Sequence, residues 1–371
     1  MITKRINNDR GVCFYCNGCA RSCNVYADFS SGSCLIFPAQ NAGGQIDLFV
    51  NSMVRTVETN SEGKATGVSY INKDDGIEYK LRGKVVVLAA SACSSARILL
   101  NSKSKQHPNG LGNSSDLVGK YLHDSTGGDM MAFLPQLTNR KTYNEDGVGG
   151  MHVYSPWWLD NKSLDFPRGY HIEVWGGMGA PTYGTGFNVN HFNKFFGLKA
   201  GGYGDILRSD MKKYYGSTIG FSGRGESIAM KSNYCEIDPD KVDKYGVPVL
   251  RFNYKWTDHE IKQAKHMQDT FEEIIHNMGG QPLWNKPGIE SNYGLTKPGE
   301  IIHEVGTTRM GNNPKESVVD KFERMHDVDN VFVVDAGPFV SQADKNPTWT
   351  IMALAWRASD HIVSEFKKQN F

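Results

Sequence analysis

The sequence is organised around a stretch near its C-terminus that reads HEVGTTRMG at 303–311, VFVVDAG at 331–337 and NPTWTIMALAWRASDHI at 346–362. The apolar run from Val331 to Val334 leads into Asp335 and predicts a buried strand that ends at a functional edge. The next segment predicts a helix with Asn346 as N-cap and Pro347 at its first position. Because the first turn of a helix carries unpaired N–H groups and the positive end of the dipole, a negative group is stabilised there. The helix has one apolar face, formed by Ile351, Ala355, Ala358, Ile362 and Phe366.

Composition excludes several classes of protein. With 371 residues, the chain is long enough for a sizeable core and for two domains. A formal net charge of +1 gives no electrostatic basis for binding nucleic acid or an anionic membrane surface. Apolar runs such as Val85 to Ala90 are far too short to cross a bilayer, and the first residues lack the apolar core of a signal peptide.

Cysteines near the N-terminus predict a metal centre. Cys13, Cys16, Cys19 and Cys23 have the spacing C-x2-C-x2-C-x3-C, by which ferredoxins bind an iron–sulfur cluster. Asn24 replaces the proline that usually follows the last cysteine. Four thiolates also suit zinc, and oxidised or purely structural cysteines are a third interpretation.

The segments between 46 and 102 predict a strand, a hairpin, a buried strand and a helix. Apolar and polar residues alternate in the first runs, and the turns fall at Asn60, Gly63 and Asp74 to Gly76. The run Val85 to Ala90 predicts a buried strand, and the helix after it has an apolar face. In the following loop, His123 is expected to be a plain loop histidine.

From about residue 127 to 297 the chain is rich in glycine and aromatic residues. Such residues suit a sugar pocket, because sugar C–H faces stack on rings, but in most proteins they fill the core of a β-sheet, and this alternative stays open. Residues 258–280 predict an amphipathic helix that ends at Gly279. Its histidines His259, His266 and His276 are expected on the solvated face. The candidate sugar-stacking rings are Trp157, Trp158, Trp175 and Tyr183.

The C-terminal stretch resembles the signature of the glucose-methanol-choline (GMC) flavoprotein oxidoreductases. The resemblance rests on the order of three motifs, which are His-x-x-Gly-Thr-x-x-Met-Gly from His303, Val-Asp-Ala from Val334, and Asn-Pro-Thr from Asn346. It implies an α/β fold, with an FAD-binding domain and an inserted antiparallel-sheet substrate domain. It also implies an enzyme that oxidises a sugar or glycoside hydroxyl by transferring hydride to N5 of FAD.

The resemblance also implies roles for individual residues. His303 is the expected base, because the hydroxyl proton must be removed and imidazole titrates near neutrality. Asn346 is the expected partner, which holds the substrate oxygen by a hydrogen bond. The implied FAD contacts are Val54, Ala90, Ser91, Asp335, Ala336, Asn346, Pro347 and Thr348.

The cysteine motif makes the chain similar to the catalytic large subunits of bacterial sugar dehydrogenases of this family. Such enzymes pair FAD with an iron–sulfur cluster and pass electrons to an external acceptor, so a small subunit and a cytochrome are the implied partners. An oxygen-using oxidase of the same family, without a cluster, is the alternative. A truncated, inactive metal-binding or assembly piece is a second alternative.

A G-x-G-x-x-G turn after a strand, which binds the ADP half of FAD in this family, is absent from the sequence. The expected fold is therefore an FAD-binding domain without its N-terminal βαβ unit and with an exposed sheet edge. The predicted boundaries are 1–126 and 298–371 for the two parts of the FAD-binding domain and 127–297 for the substrate domain. Localisation stays open: the periplasm is expected if an export signal precedes this sequence, and the cytoplasm if none does.

Overall fold

The computed structural model describes residues 4, 10–16, 19, 22–141, 153–156, 162–176 and 204–371, except for the side chains of residues 207 and 211. Helices and strands are numbered in chain order. The helices are α1 (Phe37–Asn41), α2 (Ala92–Asn101), α3 (Asp205–Tyr214), α4 (Asp258–Asn277) and α5 (Thr348–Lys367). The strands are β1 (Ser52–Thr59), β2 (Ala65–Asn72), β3 (Glu78–Arg82), β4 (Val86–Leu88), β5 (Thr126–Phe133), β6 (Val153–Pro156), β7 (Tyr170–Gly176), β8 (Thr218–Gly225), β9 (Tyr234–Val242), β10 (Pro248–Asn253), β11 (Gln281–Pro282) and β12 (Val331–Val333). None of the described helices is long and apolar enough to cross a membrane.

An antiparallel sheet of the order β1-β2-β3 confirms the predicted strand and hairpin. The turn between β1 and β2 forms because the Asn60 side-chain oxygen accepts hydrogen bonds from the backbone N–H groups of Glu62 and Lys64. The side chain of Val57 points into the core, and those of β3 are exposed.

A parallel pair, β4 and β12, brings the two predicted apolar strands side by side. All three residues of β12 are fully buried, as predicted. On β4, by contrast, Val87 is 47% exposed, so the prediction that this strand is buried on both faces is wrong. Only the alternate residues Val86 and Leu88 pack into the core cluster shared with α2, because successive side chains of a strand point to opposite faces. The carboxyl ends of both strands lie at one edge, where ligands bind in open parallel sheets.

A five-stranded antiparallel sheet, of the order β11-β5-β8-β7-β6, occupies the middle of the chain. Helix α4 packs on one face through Met267, Phe271 and Ile275, all fully buried. The helix starts at a capping box, in which Thr257 and Glu260 satisfy each other's backbone N–H groups. It ends before Gly279 at φ +69°, as predicted.

For two histidines of α4, the prediction that they lie on the solvated face is wrong. His259 is buried, with its Nε2 atom 3.1 Å from the Glu226 carbonyl oxygen. His266 packs against the sheet, with its Nδ1 atom 2.8 Å from the Tyr170 hydroxyl oxygen. Their positions on the helix gave no sign of these partners, because the partners come from the sheet.

The last helix also departs from its prediction. Helix α5 begins at Thr348 with Pro347 as N-cap, and Asn346 makes no cap hydrogen bond. Ala358 is fully buried and Ile351 packs against the core, but Phe366 is 52% exposed, so the expected apolar face is buried only in part.

Gly306 fixes the segment 303–307 against the residues before β5. Its φ is +95°, and a Cβ atom there would meet the Tyr121 carbonyl oxygen and, at 2.7 Å, the Nδ1 atom of His123. Only glycine therefore permits this approach of the two backbones.

We expect Gly306→Ala to lower the free energy of unfolding by at least about 2 kcal/mol more than Gly76→Ala does. Gly76 has a similar φ of +73° but open space around it, so it controls for backbone strain alone. Urea unfolding followed by circular dichroism measures both. Equal decreases in the free energy of unfolding would show that the close approach of the two backbones at Gly306 does not contribute to stability.

Candidate active site

The backbone of the 303–307 segment is fixed from three sides. The Asp124 carboxylate accepts a hydrogen bond from the His303 N–H at 3.0 Å. Val305 and His123 exchange two backbone hydrogen bonds, and the Thr307 hydroxyl donates to the Ala92 carbonyl at the start of α2 at 2.7 Å. The imidazole of His303 is therefore presented from a rigid support.

The prediction that His123 is a plain loop residue is wrong. It is fully buried, and its Nδ1 atom lies 2.7 Å from the Tyr121 carbonyl oxygen. Burial, together with the Arg309 guanidinium, lowers the pKa of His123 to about 4 against the opposing hydrogen bond to Tyr121. The residue is thus a neutral part of the core.

The side chain of His303 is partly buried and has a polar partner. Its Nδ1 atom lies 3.3 Å from the hydroxyl oxygen of Ser125, to which the amide of Gln342 donates a hydrogen bond at 3.3 Å. Burial lowers the pKa of His303, and the positive charge of Arg224 lowers it further. His303 is therefore neutral, and able to accept a proton, over most of the physiological pH range.

The side chain of Asn346 contacts the five-stranded sheet, which is the predicted substrate sheet and is called the substrate sheet below. Its Oδ1 atom accepts a hydrogen bond from the Tyr154 hydroxyl on β6 at 3.2 Å. The Tyr154 ring lies 5.0 Å from the imidazole of His171 on β7, measured between centroids. His171 and Glu173, in turn, act electrostatically on the pKa of His303. One cluster of polar side chains therefore borders both predicted catalytic residues.

Sequence reasoning missed that cluster. His171 and Glu173 are buried on one face of β7, and Arg224 of β8 lies 3.9 Å from the Glu173 carboxylate and 3.6 Å from that of Asp129. The available signal was the alternation in YHIEVW, where titratable residues occupy every second position of an otherwise apolar strand.

Several predicted cofactor contacts meet at the carboxyl ends of β4 and β12. The Asp335 carboxylate accepts hydrogen bonds from the Ser95 hydroxyl at 2.5 Å and the Gly337 N–H at 2.8 Å. Ala336, which is buried, accepts a hydrogen bond from the Gly306 N–H at 3.2 Å. Because its side chain is engaged, Asp335 is available to a ligand mainly through its backbone.

Ser91 lies in the turn between β4 and α2, with a φ of +80° that is unusual for a residue other than glycine. It lines a cavity of about 420 Å³ that extends to Asp124 and Glu304. Burial and the nearby Glu304 raise the pKa of Asp124 to about 6, and its Oδ2 atom has no hydrogen-bond partner. The preceding residue, Ala90, donates its N–H to Ser95.

The N-terminus of α5 fits an anionic or electron-rich group. No side chain caps it, and Thr348, Trp349 and Thr350 of the first turn are exposed. Pro347, at the N-cap position of the helix, is buried. Val54 lies on β1, packed against the cluster that includes α2. The assignment of these residues to FAD stays a prediction.

The four cysteines of the N-terminal motif could bind a metal ion through their thiolates, but their sulfur atoms do not lie around one common point. Cys13 and Cys23 sulfurs accept backbone hydrogen bonds from Tyr15 and Ala27 at 3.4 and 3.2 Å. Burial acts to raise the pKa of Cys23, but backbone N–H groups outweigh it, so the pKa lies below its ordinary value. Among the described residues, no three His, Cys, Asp or Glu side chains are arranged to hold a metal ion.

Of the candidate sugar-stacking rings, Trp157, Trp158 and Tyr183 lie outside the described residues. Trp175 lies at the end of β7, with its ring beside Gly220 of β8. The structure therefore places one of these rings on the substrate sheet.

Family models for GMC oxidoreductases match residues 2–126 and residues 231–355, which together make up more than half of the sequence. The chain belongs to the GMC oxidoreductase family. A formate oxidase of Aspergillus oryzae has the same fold, with a TM-score of 0.59 and 14% identity over 85% of this chain and 60% of that chain. These comparisons confirm the predicted fold.

Two GMC relatives show how much of a full-length member the sequence spans. A 2-methyl-1,2-propanediol dehydrogenase of Mycolicibacterium austroafricanum is 32% identical over 86% of this chain and 55% of its own. The fructose dehydrogenase large subunit of Gluconobacter japonicus is 26% identical over 97% of this chain and 61% of its own. The chain thus spans little more than half the length of these relatives.

We expect Arg224→Gln to raise the pKa of His303, because removal of a nearby cation stabilises the imidazolium form. NMR titration of the histidine ring protons measures the midpoint, with His303→Asn to assign the signal. Arg251→Gln removes an exposed cation of β10 and serves as control. A midpoint that stays in place in Arg224→Gln would exclude this electrostatic coupling.

Proposed function

We propose that this GMC chain oxidises a hydroxyl group of a neutral sugar or related polyol, with FAD as hydride acceptor. The observation that carries the proposal is the position of His303. Its imidazole is neutral at physiological pH, is oriented by Ser125, and borders the same polar cluster as Asn346.

His303 removes the proton of the substrate hydroxyl. For Nε2 to accept that proton, Nδ1 must carry the ring hydrogen and donate it to Ser125, whose oxygen has a further lone pair for Gln342. The lowered pKa keeps the ring unprotonated before the reaction. Positioned general bases of this kind contribute about 10²- to 10⁴-fold to a rate.

Asn346 holds the substrate oxygen. Because its Oδ1 atom is occupied by the Tyr154 hydroxyl, its amide NH₂ group is left as the donor. An asparagine cannot take up the proton, so the two residues have different roles. FAD supplies the hydride acceptor, and its expected contacts are Val54, Ala90, Ser91, Asp335, Ala336, Pro347 and Thr348.

The balance of charge in the cluster supports a neutral substrate. Arg224, His171 and Lys345 each lie within 4 Å of a carboxylate, so these cations are already compensated. A sugar acid would have to compete with those carboxylates, whereas sugar hydroxyls can exchange hydrogen bonds with them. The names of two relatives, a propanediol dehydrogenase and a fructose dehydrogenase, agree with such a substrate, whereas a third relative, a gluconate 2-dehydrogenase flavoprotein, is named for a sugar acid.

For the electron acceptor, we propose a dehydrogenase that reduces an external acceptor, a small subunit or cytochrome. Cys13, Cys16, Cys19 and Cys23 would be the ligands of a metal centre, which would supply one-electron transfer. The spacing of the cysteines supports this proposal. In the structure the four sulfurs do not converge on a common point, so this arrangement does not fit a bound cluster. An oxidase would instead produce hydrogen peroxide.

We expect His303→Ala to lower the rate of sugar-dependent dye reduction by about 10²- to 10⁴-fold. The flavin spectrum should persist, because the base does not hold the cofactor. The assay mixes the chain with FAD, an artificial dye and, in turn, fructose, 2-methyl-1,2-propanediol and gluconate. His107→Ala, in a distant loop, is the control.

Full activity of His303→Ala would remove His303 from the role of base. If the unaltered chain neither binds flavin nor reduces dye, it acts as an assembly piece, and the proposed function fails. Faster turnover of gluconate than of neutral substrates would contradict the charge argument.

We expect Cys16→Ser to lower the iron content after anaerobic reconstitution with iron and sulfide, since each cluster iron needs its thiolate ligands. Iron assay and visible absorption measure the loss. Cys235→Ser, far along the sequence in β9, is the control. Unchanged iron content in Cys16→Ser would contradict the cluster assignment. Bound zinc in place of iron would identify the motif as a zinc site.

A further inference from the structure

Residues 342–346, which lead into α5, are held by side-chain contacts at three positions. Gln342 donates to Ser125, the partner of His303. Asp344 lies 3.3 Å from the Nδ1 atom of His171. Asn346 accepts the hydroxyl of Tyr154. Two of these contacts reach the substrate sheet, and the third reaches the support of His303.

His171 is fully buried between two carboxylates. Its Nε2 atom lies 3.4 Å from Glu173 on the same strand, and its Nδ1 atom faces Asp344 in the 342–346 segment. Burial opposes protonation, but the two carboxylates outweigh it, so the pKa of His171 lies above its ordinary value. Lys345 and His171 together hold the pKa of Asp344 below its ordinary value, against the effect of burial. Both shifts favour the charged forms of the two partners, and the 3.3 Å contact between them is an ion-pair contact without hydrogen-bond geometry.

A buried ion pair is a poor means of gaining stability, because desolvation of the charges offsets most of their attraction. It does impose one arrangement, since breaking it leaves a charge without a partner. The pair joins β7 to a segment without regular secondary structure, at a point two residues before Asn346. Its effect thus falls on the placement of the Asn346 amide.

We propose that His171, acting through Asp344, is a positioning residue that fixes the 342–346 segment on the substrate sheet and so places Asn346 for its substrate. The inference rests on the proposed function. Tyr154 completes the arrangement, because its hydroxyl determines which end of the Asn346 amide faces the substrate. The other charged or titratable groups around His171 are Glu173, Lys345, Arg224 and His303.

The first test is a comparison of His171→Gln and Asp344→Asn in the FAD-loaded chain. We expect each to lower kcat by about ten- to a hundredfold, with a smaller change in KM, because small misplacements of an orienting group are costly in the transition state. We expect the double variant to be no slower than either single variant, since both remove one interaction. His266→Gln is the control, because His266 packs against Tyr170, the neighbour of His171 on β7 whose side chain points to the other face.

The second test does not depend on turnover. Hydrogen–deuterium exchange of the chain without substrate should be faster at residues 343–350 in His171→Gln and Asp344→Asn, and unchanged within α4. Tyr154→Phe should lower kcat while leaving exchange at Asp344 as it is, because it removes only the hydrogen bond to Asn346.

The outcomes separate the two proposals. Absence of turnover in the unaltered chain, with faster exchange in the variants, contradicts the proposed function and retains the structural link. Additive losses of rate in the double variant, or exchange at 343–350 no faster than in His266→Gln, overturn the positioning role. A loss of exchange protection throughout the molecule would show that His171 only supports the fold, and this also overturns it.

Discussion

The candidate site depends on the contact between the backbone around Gly306 and the backbone of residues 121–123. A side chain at 306 would separate the two segments, and with them His303 from Asp124 and Ser125. The same contact joins the parallel pair β4 and β12 to the start of the substrate sheet, because β5 follows directly after residue 125. One short segment therefore sets the geometry between the predicted cofactor edge and the sheet that faces it.

Charged groups in the site are arranged to compensate one another. Arg224 lies near the carboxylates of Asp129 and Glu173, and His171 lies between those of Glu173 and Asp344, so Glu173 is common to both. Such a network exposes little net charge to a substrate but many hydrogen-bond donors and acceptors, which suits a ligand that is polar and uncharged. His303 differs from its neighbours because burial and adjacent cations keep it unprotonated.

Much of the fold could be predicted from local patterns. The buried strand β12, the first hairpin and α2 follow from apolar periodicity and turn residues. The family signature predicts catalytic roles for His303 and Asn346, and the structure places both beside one polar cluster. The start of α5 was misjudged because Asn346 bonds to Tyr154, 192 residues away in sequence, instead of capping its own helix. His123 and His259 were misjudged for the same reason: their burial is decided by partners distant in sequence, which periodicity cannot reveal. His171 is different, because the alternation in YHIEVW does carry a signal for its position.

Among the described residues, β6 pairs only with β7 and is the outermost strand of the five-stranded sheet, which has a consequence for how the site responds to heat and denaturant. An outermost strand pairs on one side only, so its hydrogen bonds open at a lower free energy than those of the interior. Tyr154 lies on that strand, whereas His303 contacts the buried residues Asp124 and Ser125. Mild heating or denaturant would thus break the hydrogen bond between Tyr154 and Asn346 while the His303 imidazole stays in place. Activity would then be lost before the core unfolds.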